Sequence, residues 1–162
     1  MDLEQRVIEN VRQVGVTDPI ASGRRFDYAD AVEVELGEAD RDAPEAWVRA
    51  GLADSPALVK RITSLLGVGR TPDSDGIAGF KVIESNADVV HLEQTLPLMH
   101  VIVVGRNIGL STRTFTTLLT YERPIARLLW AVVGVAHRRT ARRLITAKAV
   151  DGTAEVGGDG RG

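Results

Sequence analysis

The chain has 162 residues, of which 44% are hydrophobic and 26% charged, and this composition is typical of a single globular domain. It contains no cysteine, which excludes disulfides, thiol nucleophiles and cysteine-ligated metal sites. Because the formal net charge is −2 and no apolar run approaches the ~18 residues of a membrane span, we expect a cytoplasmic protein with no nucleic-acid partner and no membrane span.

Residues 1–25 are predicted to form an N-terminal helix and a loop. The helix covers 2–14 and ends at Gly15, because one helical stripe is apolar: Leu3, Val7, Val11 and Val14. The loop carries the turn signals Asp18-Pro19 and Ser22-Gly23. The main domain then spans 26–149, and the Gly-rich residues 150–162 are predicted to be a disordered tail.

The main domain opens with a strand and two short helices. Residues 26–36 alternate, with one face formed by Tyr28, Asp30, Val32, Val34 and Leu36, which predicts a half-buried strand. Asp42 and Pro44 mark the start of a helix at about 44–50. Ser55 and Pro56 mark the start of a second helix that ends at Gly67.

Four strands follow on short connections, at about 77–85, 89–95, 99–106 and 110–121, and therefore predict an antiparallel sheet. Turns at 86–88, 95–98 and 107–109 would set the register. They place three cross-strand rows on one face: Phe80, Gln94, Met99 and Thr117; Val82, Leu92, Val101 and Phe115; Glu84, Val90, Val103 and Arg113. Because this face is mostly apolar, we expect it to be concave and buried.

Two groups of polar residues stand out on the predicted sheet. Glu84 and Arg113 would share one end of the concave face, where Arg113 could hold a carboxylate or phosphate, pair with Glu84 or lie at a wet rim. The other face carries His91, Glu93 and His100, the residue types of a two-histidine, one-carboxylate metal site. An outward face offers no enclosed pocket, so we expect an ion pair there and no metal. Ile102 and Val104 on that face would need cover from the N-terminal helix or a second subunit.

The longest predicted element is a C-terminal helix over 124–149 that starts at Pro124. Its expected core face is Ile125, Leu129, Val132, Val133, Ala136, Thr140 and Leu144. Three arginines fall opposite, Arg127, Arg138 and Arg142, and form either a solvated basic face or a surface for an anionic partner or membrane. A further face, Trp130, Gly134, His137 and Ala141, would receive a neighbouring element or a second subunit. Gly134 would also leave room beneath the helix.

The sequence contains no phosphate-binding loop, dinucleotide fingerprint, nucleophile elbow or zinc-binding helix motif, so we assign no catalytic residue, no metal and no cofactor. The order of elements instead resembles the helix-grip fold of the START-like and polyketide-cyclase-like superfamily. More narrowly, it is similar to a bacterial family of unassigned function within that group. The resemblance is carried by DAPEAWVRA (42–50), GFKVIESNADVVHLEQ (79–94) and WAVVGVAHRRTARRLI (130–145).

This resemblance implies an α+β fold in which a curved antiparallel sheet wraps around a long C-terminal helix. It also implies a binding module for a lipid- or polyketide-like ligand between sheet and helix. The candidate lining residues are Phe80, Val82, Glu84, Leu92, Gln94, Val101, Arg113, Phe115, Thr117, Leu129 and Val133. Two alternatives stay open: a scaffold with a packed interior that forms a homodimer through Ile102, Val104 or the Trp130 face, and an enzyme of cyclase or hydrolase type that uses Glu84 or Arg113.

Overall fold

The computed structural model describes residues 11–36, 42–53 and 76–151 and has the α+β class expected from the sequence. Its elements are β1 Val11–Val14, a 3₁₀ helix Pro19–Ala21, β2 Tyr28–Glu35, α1 Pro44–Ala53, β3 Lys81–Ser85, β4 Val89–Thr95, β5 Met99–Ile108, β6 Thr112–Tyr121 and α2 Pro124–Asp151. The described strands form one antiparallel sheet in the order β1-β2-β6-β5-β4-β3. The predicted helix at 55–67 lies outside the described residues.

The N-terminal prediction is wrong where the structure describes it. Residues 11–14, predicted as the end of a helix, form β1 and pair with β2, with Val11 opposite Val34. Arg12 Nε donates to Glu33 Oε1 across this pair at 2.9 Å. The apolar spacing that suggested a helix ends in two valines, and β-branched valine suits a strand that has a partner. The sheet therefore has a sixth strand that the sequence did not predict.

The four hairpin strands form where the sequence predicted them, but in a shifted register. Leu92 pairs with Val103 instead of Val101, and Val101 pairs with Leu119 instead of Phe115. The β5–β6 turn lies two residues later than predicted, with Gly109 in the left-handed conformation at φ 65°. Both shifts are even, so β4, β5 and β6 keep the predicted faces.

Strand β3 departs from the prediction at one residue. Val82 pairs with Leu92 as expected, but a β-bulge between Val82 and Glu84 brings Glu84 opposite His91. The extra residue reverses the alternation of side chains for the rest of the strand. Glu84 is therefore exposed on the outer face, and its predicted place beside Arg113 is wrong.

One face of the sheet is covered by both helices. Trp47 and Val48 of α1 are fully buried against β4 and β5, together with Leu144 and Ile145 of α2. The contact is close because β5 has a glycine there: a Cβ added to Gly105 would lie 2.6 Å from Val48 Cγ2. This end of the helix-facing side is thus filled by the protein's own side chains.

The outer face of the sheet is covered by residues 16–26, which we call the strap. Its apolar side chains Val16, Ile20, Ala21 and Phe26 pack on Val89, Ile102, Val104 and Leu118. Asp18 caps the 3₁₀ helix by accepting from Ile20 N at 3.0 Å and also accepts from Arg106 Nε at 2.8 Å. The predicted need of Ile102 and Val104 for cover is therefore met by the strap.

Helix α2 starts at Pro124 as predicted and continues through Asp151, two residues into the predicted tail. Of its predicted core face, Leu144 is buried and Leu129, Val133, Ala136 and Thr140 are partly buried, but Ile125 and Val132 are 61% and 74% exposed, so the prediction is wrong for these two. The buried positions are Ala126, Gly134, Ala141, Leu144 and Ile145, and Leu129 and Val133 are partly buried. The buried side also includes Gly134 and Ala141, which belong to the face predicted to receive a neighbouring element.

Candidate functional site

Ten of the eleven predicted lining residues lie on the helix-facing side of the sheet or on α2, and Glu84 does not. They differ in accessibility. Leu92, Arg113, Phe115 and Thr117 are buried beneath α1 and α2. The other six remain partly exposed: Phe80, Val82, Gln94, Val101, Leu129 and Val133. We call the space that these six border the helix–sheet groove.

The position of the two helices explains why this groove is only half covered. Helix α2 packs along α1 and, on the sheet, against β2 and β6, whereas α1 contacts β4 and β5 near Gly105. Val101 and Leu129 pack against one cluster, formed by Met99, Leu119 and Ala126. Phe80 and Val82 pack against the cluster that includes Trp47 and Leu92, and the six side chains are apolar apart from Gln94.

A buried polar cluster lies beneath α2 at the level of the groove. Tyr28 Oη donates to Asp30 Oδ2 at 2.6 Å, and the Asp30 side chain is 6% exposed. His137 Nε2 lies 3.1 Å from Thr117 Oγ1 and 3.9 Å from Asp30 Oδ1. Asp30 and Thr117 are opposite each other on β2 and β6, so strand register brings both to the same point on the helix.

The electrostatics of this cluster favour an ionised Asp30. Burial raises the pKa of the carboxyl group, but the interactions with His137 and Tyr28 outweigh burial and hold the pKa below its ordinary value of 3.8. Burial, together with the hydrogen bond to Asp30, raises the pKa of Tyr28 to about 12. The cluster is thus a carboxylate held by a neutral phenol and a histidine.

An aromatic pair joins this polar cluster to the helix. The Trp130 ring meets Tyr28 edge-on at 5.2 Å and lies 5.0 Å from the His137 ring. A Cβ on Gly134 would be 3.2 Å from Trp130 Nε1, so the indole occupies the space that the missing side chain provides. The predicted room beneath Gly134 is therefore taken by Trp130.

Arg113 lies at the other end of the helix-facing side, below α1. It is 2% exposed, and its guanidinium carbon is 5.3 Å from the centroid of the Trp47 ring. Burial lowers the pKa of Arg113 to about 10, so the side chain stays charged at neutral pH. Trp47 Nε1 donates to Asn107 Oδ1 at 3.0 Å and holds the ring in place. Arg113 thus belongs to the packed end and does not border the groove.

Comparison with protein-family models, with curated proteins and with solved structures gave no match to this chain. The resemblance to START-like proteins therefore stays a prediction. The site has to be interpreted from its own chemistry.

That chemistry is suited to binding better than to proton relay. In an acid–histidine–hydroxyl relay the carboxylate and the hydroxyl hold opposite nitrogens of the imidazole. Here Asp30 and Thr117 both approach Nε2 of His137, and Thr117 is 1% exposed. The arrangement provides a fixed hydrogen-bonding group beside an apolar groove, with 21% of the His137 side chain accessible.

The sequence analysis did not assign Tyr28, Asp30, Trp130 or His137 to the site. Two signals pointed to them. Asp30 is the acidic residue on the otherwise apolar and aromatic face of β2, and Trp130 and His137 share a helix face with Gly134 and Ala141. A carboxylate on a buried strand face requires a partner, and here an adjacent tyrosine and a helix histidine supply it.

His91, Glu93 and His100 lie close together on the outer face of the sheet. Glu93 Oε1 is 2.8 Å from His91 Nε2, and Glu93 Oε2 is 3.4 Å from His100 Nε2. In the sheet Glu93 pairs with Ile102, and His100 pairs with Thr95. Within residues 11–36, 42–53 and 76–151, no group of three or more such side chains is arranged to hold a metal ion.

Proposed function

We propose that this protein binds a small, largely apolar ligand in the helix–sheet groove, in a helix-grip arrangement of the START-like kind. The observation that carries the proposal is the set of six partly exposed side chains between α2 and β3–β5, five of them apolar. Apolar side chains in a concave surface beside a few fixed polar groups are the usual lining of a small-molecule site. The accessible part of His137, whose ring is held by Thr117, would meet one polar group of the ligand.

The two alternatives lose the features that motivated them. Glu84 and Arg113, the proposed pair of an enzyme, lie on opposite faces of the sheet. Ile102 and Val104, the proposed contacts of a scaffold, are buried under the strap. Trp130 faces Tyr28 and His137 inside the same chain. A ligand-binding module is therefore the function that this geometry favours.

The two tryptophans of the chain allow a direct test. Trp130 lies beside the polar cluster, whereas Trp47, a residue of α1, is fully buried against the sheet. In a Trp47→Phe variant, decanoic acid and decanol should each change the emission of Trp130. In a Trp130→Phe variant, the same compounds should leave the emission of Trp47 unchanged.

A second variant pair tests the groove itself. Val101→Phe places a larger side chain in the groove and should weaken decanoic acid binding at least ~tenfold, because it occupies the space of the ligand. Ile108→Phe makes a comparable change at a residue that is 51% exposed on the face of β5 opposite Val101, and should leave binding unchanged. Equal binding by both variants, or no response of Trp130 to either compound, would contradict the proposal.

Native mass spectrometry of protein purified from a related host would identify the ligand class. A mass above the 17.5 kDa of the chain, lost on denaturation, is the expected result. If the protein shows only the mass of the chain and its emission does not respond to decanoic acid or decanol, the result would argue for a packed interior.

A further inference from the structure

Helix α2 carries a line of apolar side chains on its outward side. Ile125, Leu128, Val132 and Val135 are 61%, 70%, 74% and 47% exposed. Their spacing of three, four and three residues places them on one side of the helix over about 15 Å. We call these four residues the outer stripe. Four large exposed aliphatic side chains in a row form a contiguous apolar patch of the kind that marks an interaction surface.

The charged residues of α2 up to residue 150 have one sign. From Pro124 to residue 150 the sequence contains no aspartate or glutamate. It contains five arginines between 124 and 145: Arg127, Arg138, Arg139, Arg142 and Arg143. At 100° per residue, Arg139 and Arg143 continue the line of the outer stripe towards the C-terminus. All of these arginines except Arg138 are exposed.

We infer that the outward face of α2 docks on an anionic membrane surface, with the helix axis in the plane of the membrane. The outer stripe would enter the boundary between headgroups and acyl chains, and the arginines would contact lipid phosphates. In the part of the chain that the structure describes, no helix is long and apolar enough to cross a bilayer.

Charge decides between this partner and two others. Face-to-face pairing of α2 with a second copy would bring two helices with the same excess of arginine together, which is unfavourable. A nucleic acid would neutralise the arginines, but phosphate contacts would leave the four aliphatic side chains in water. An anionic bilayer matches both the charge and the apolar stripe.

Co-sedimentation with lipid vesicles tests the inference. The chain should bind vesicles of phosphatidylglycerol and phosphatidylcholine, bind pure phosphatidylcholine vesicles much less, and dissociate as salt is added. Leu128→Ala with Val132→Ala should weaken partitioning at least ~tenfold, because buried carbons of the stripe are lost. Arg139→Gln should weaken it about fivefold through the loss of one charge at the surface.

Leu110→Ala is the matched control, because Leu110 is 58% exposed and belongs to the β5–β6 turn, not to α2. It should bind vesicles like the unaltered chain, and circular dichroism should confirm that all variants are folded. No binding to anionic vesicles, or equal binding by all variants, would overturn the inference. So would a dimer in solution, detected by light scattering, that Leu128→Ala with Val132→Ala dissociates while vesicle binding is absent.

Discussion

Asp30 is a carboxylate in the interior of the protein, and its surroundings determine its charge. It accepts a hydrogen bond from Tyr28 and lies 3.9 Å from His137. A buried carboxylate without such partners would be protonated or would destabilise the fold. The cluster therefore keeps the charge of Asp30 and fixes the ring of His137.

The lowered pKa of Asp30 predicts a stability effect that depends on pH. Because the folded-state pKa is below the ordinary value of 3.8, Asp30 stabilises the fold above that value and the contribution is lost as pH falls through the folded pKa. Asp30→Asn should lower the free energy of unfolding by about 1–3 kcal/mol near neutral pH. Denaturant unfolding should show this loss shrinking in acid.

Glu122→Gln is the control for that measurement, because Glu122 is exposed and lies outside the cluster. It should change stability little at any pH. A loss for Asp30→Asn that stayed the same in acid and at neutral pH would show that the charge of Asp30 is not what stabilises the fold.

At the scale of elements, close approach at a glycine fixes α1 on the sheet and, within α2, fixes the Trp130 side chain. Gly105 of β5 lies against Val48 and Trp47, and Gly134 of α2 lies against Trp130. Because glycine has no side chain, Val48 and Trp47 can approach the backbone at Gly105, and Trp130 can approach the backbone of its own helix at Gly134. The packed end of the helix-facing side and the polar cluster both depend on such contacts.

Gly105→Ala should destabilise the protein by about 1–3 kcal/mol through overpacking. The added methyl group would lie 2.6 Å from Val48 Cγ2 and 3.0 Å from Trp47 Cη2. Thermal or denaturant unfolding measures the effect. Gly15→Ala is the matched control, since nothing lies within 4 Å of its added Cβ, and it should be neutral or stabilising by up to about 1 kcal/mol. A neutral Gly105→Ala would mean that α1 moves easily on the sheet.

At the scale of the whole molecule, one sheet is covered on both faces, by helices on one side and by the strap on the other. Besides its apolar side chains, the ion pair of Asp18 with Arg106 fixes the start of the strap. The side chain of Asp18 is 3% exposed and that of Arg106 26%, so the carboxylate is shielded from water. The contribution of this pair should exceed that of a surface pair.

Asp18→Ala should lower the free energy of unfolding by about 2–3 kcal/mol, because it removes a charged hydrogen-bond acceptor and the cap of the 3₁₀ helix. Exchange of backbone amide hydrogens should become faster in the strap and in the part of β5 that the strap covers, whereas the amides of α2 should stay protected. Arg12→Ala removes an ion pair whose arginine side chain is 63% exposed and should cost less than about 1 kcal/mol. Equal losses for the two variants would contradict the structural role of the strap.

Much of this architecture follows from local pattern, and the errors have physical causes. Side-chain alternation placed Leu92, Val101 and Phe115 on the correct face despite the shifted register, because the shifts were even. No pattern revealed the bulge that turns Glu84 outward. Ile125 and Val132 of α2 were predicted to lie in the core because they are hydrophobic. In the structure these two side chains are exposed, and the small residues Gly134 and Ala141 are buried.

The bulge in β3 has a consequence for the behaviour of the protein in concentrated solution. In the described sheet β1 and β3 are the edge strands, and an unprotected edge can add a strand from another molecule. Strand β1 is four residues long with a charged Arg12, and β3 is interrupted at its centre and exposes Lys81 and Glu84. Neither edge offers a long, regular row of backbone groups. The sheet therefore resists growth into aggregates even though its interior strands are rich in valine.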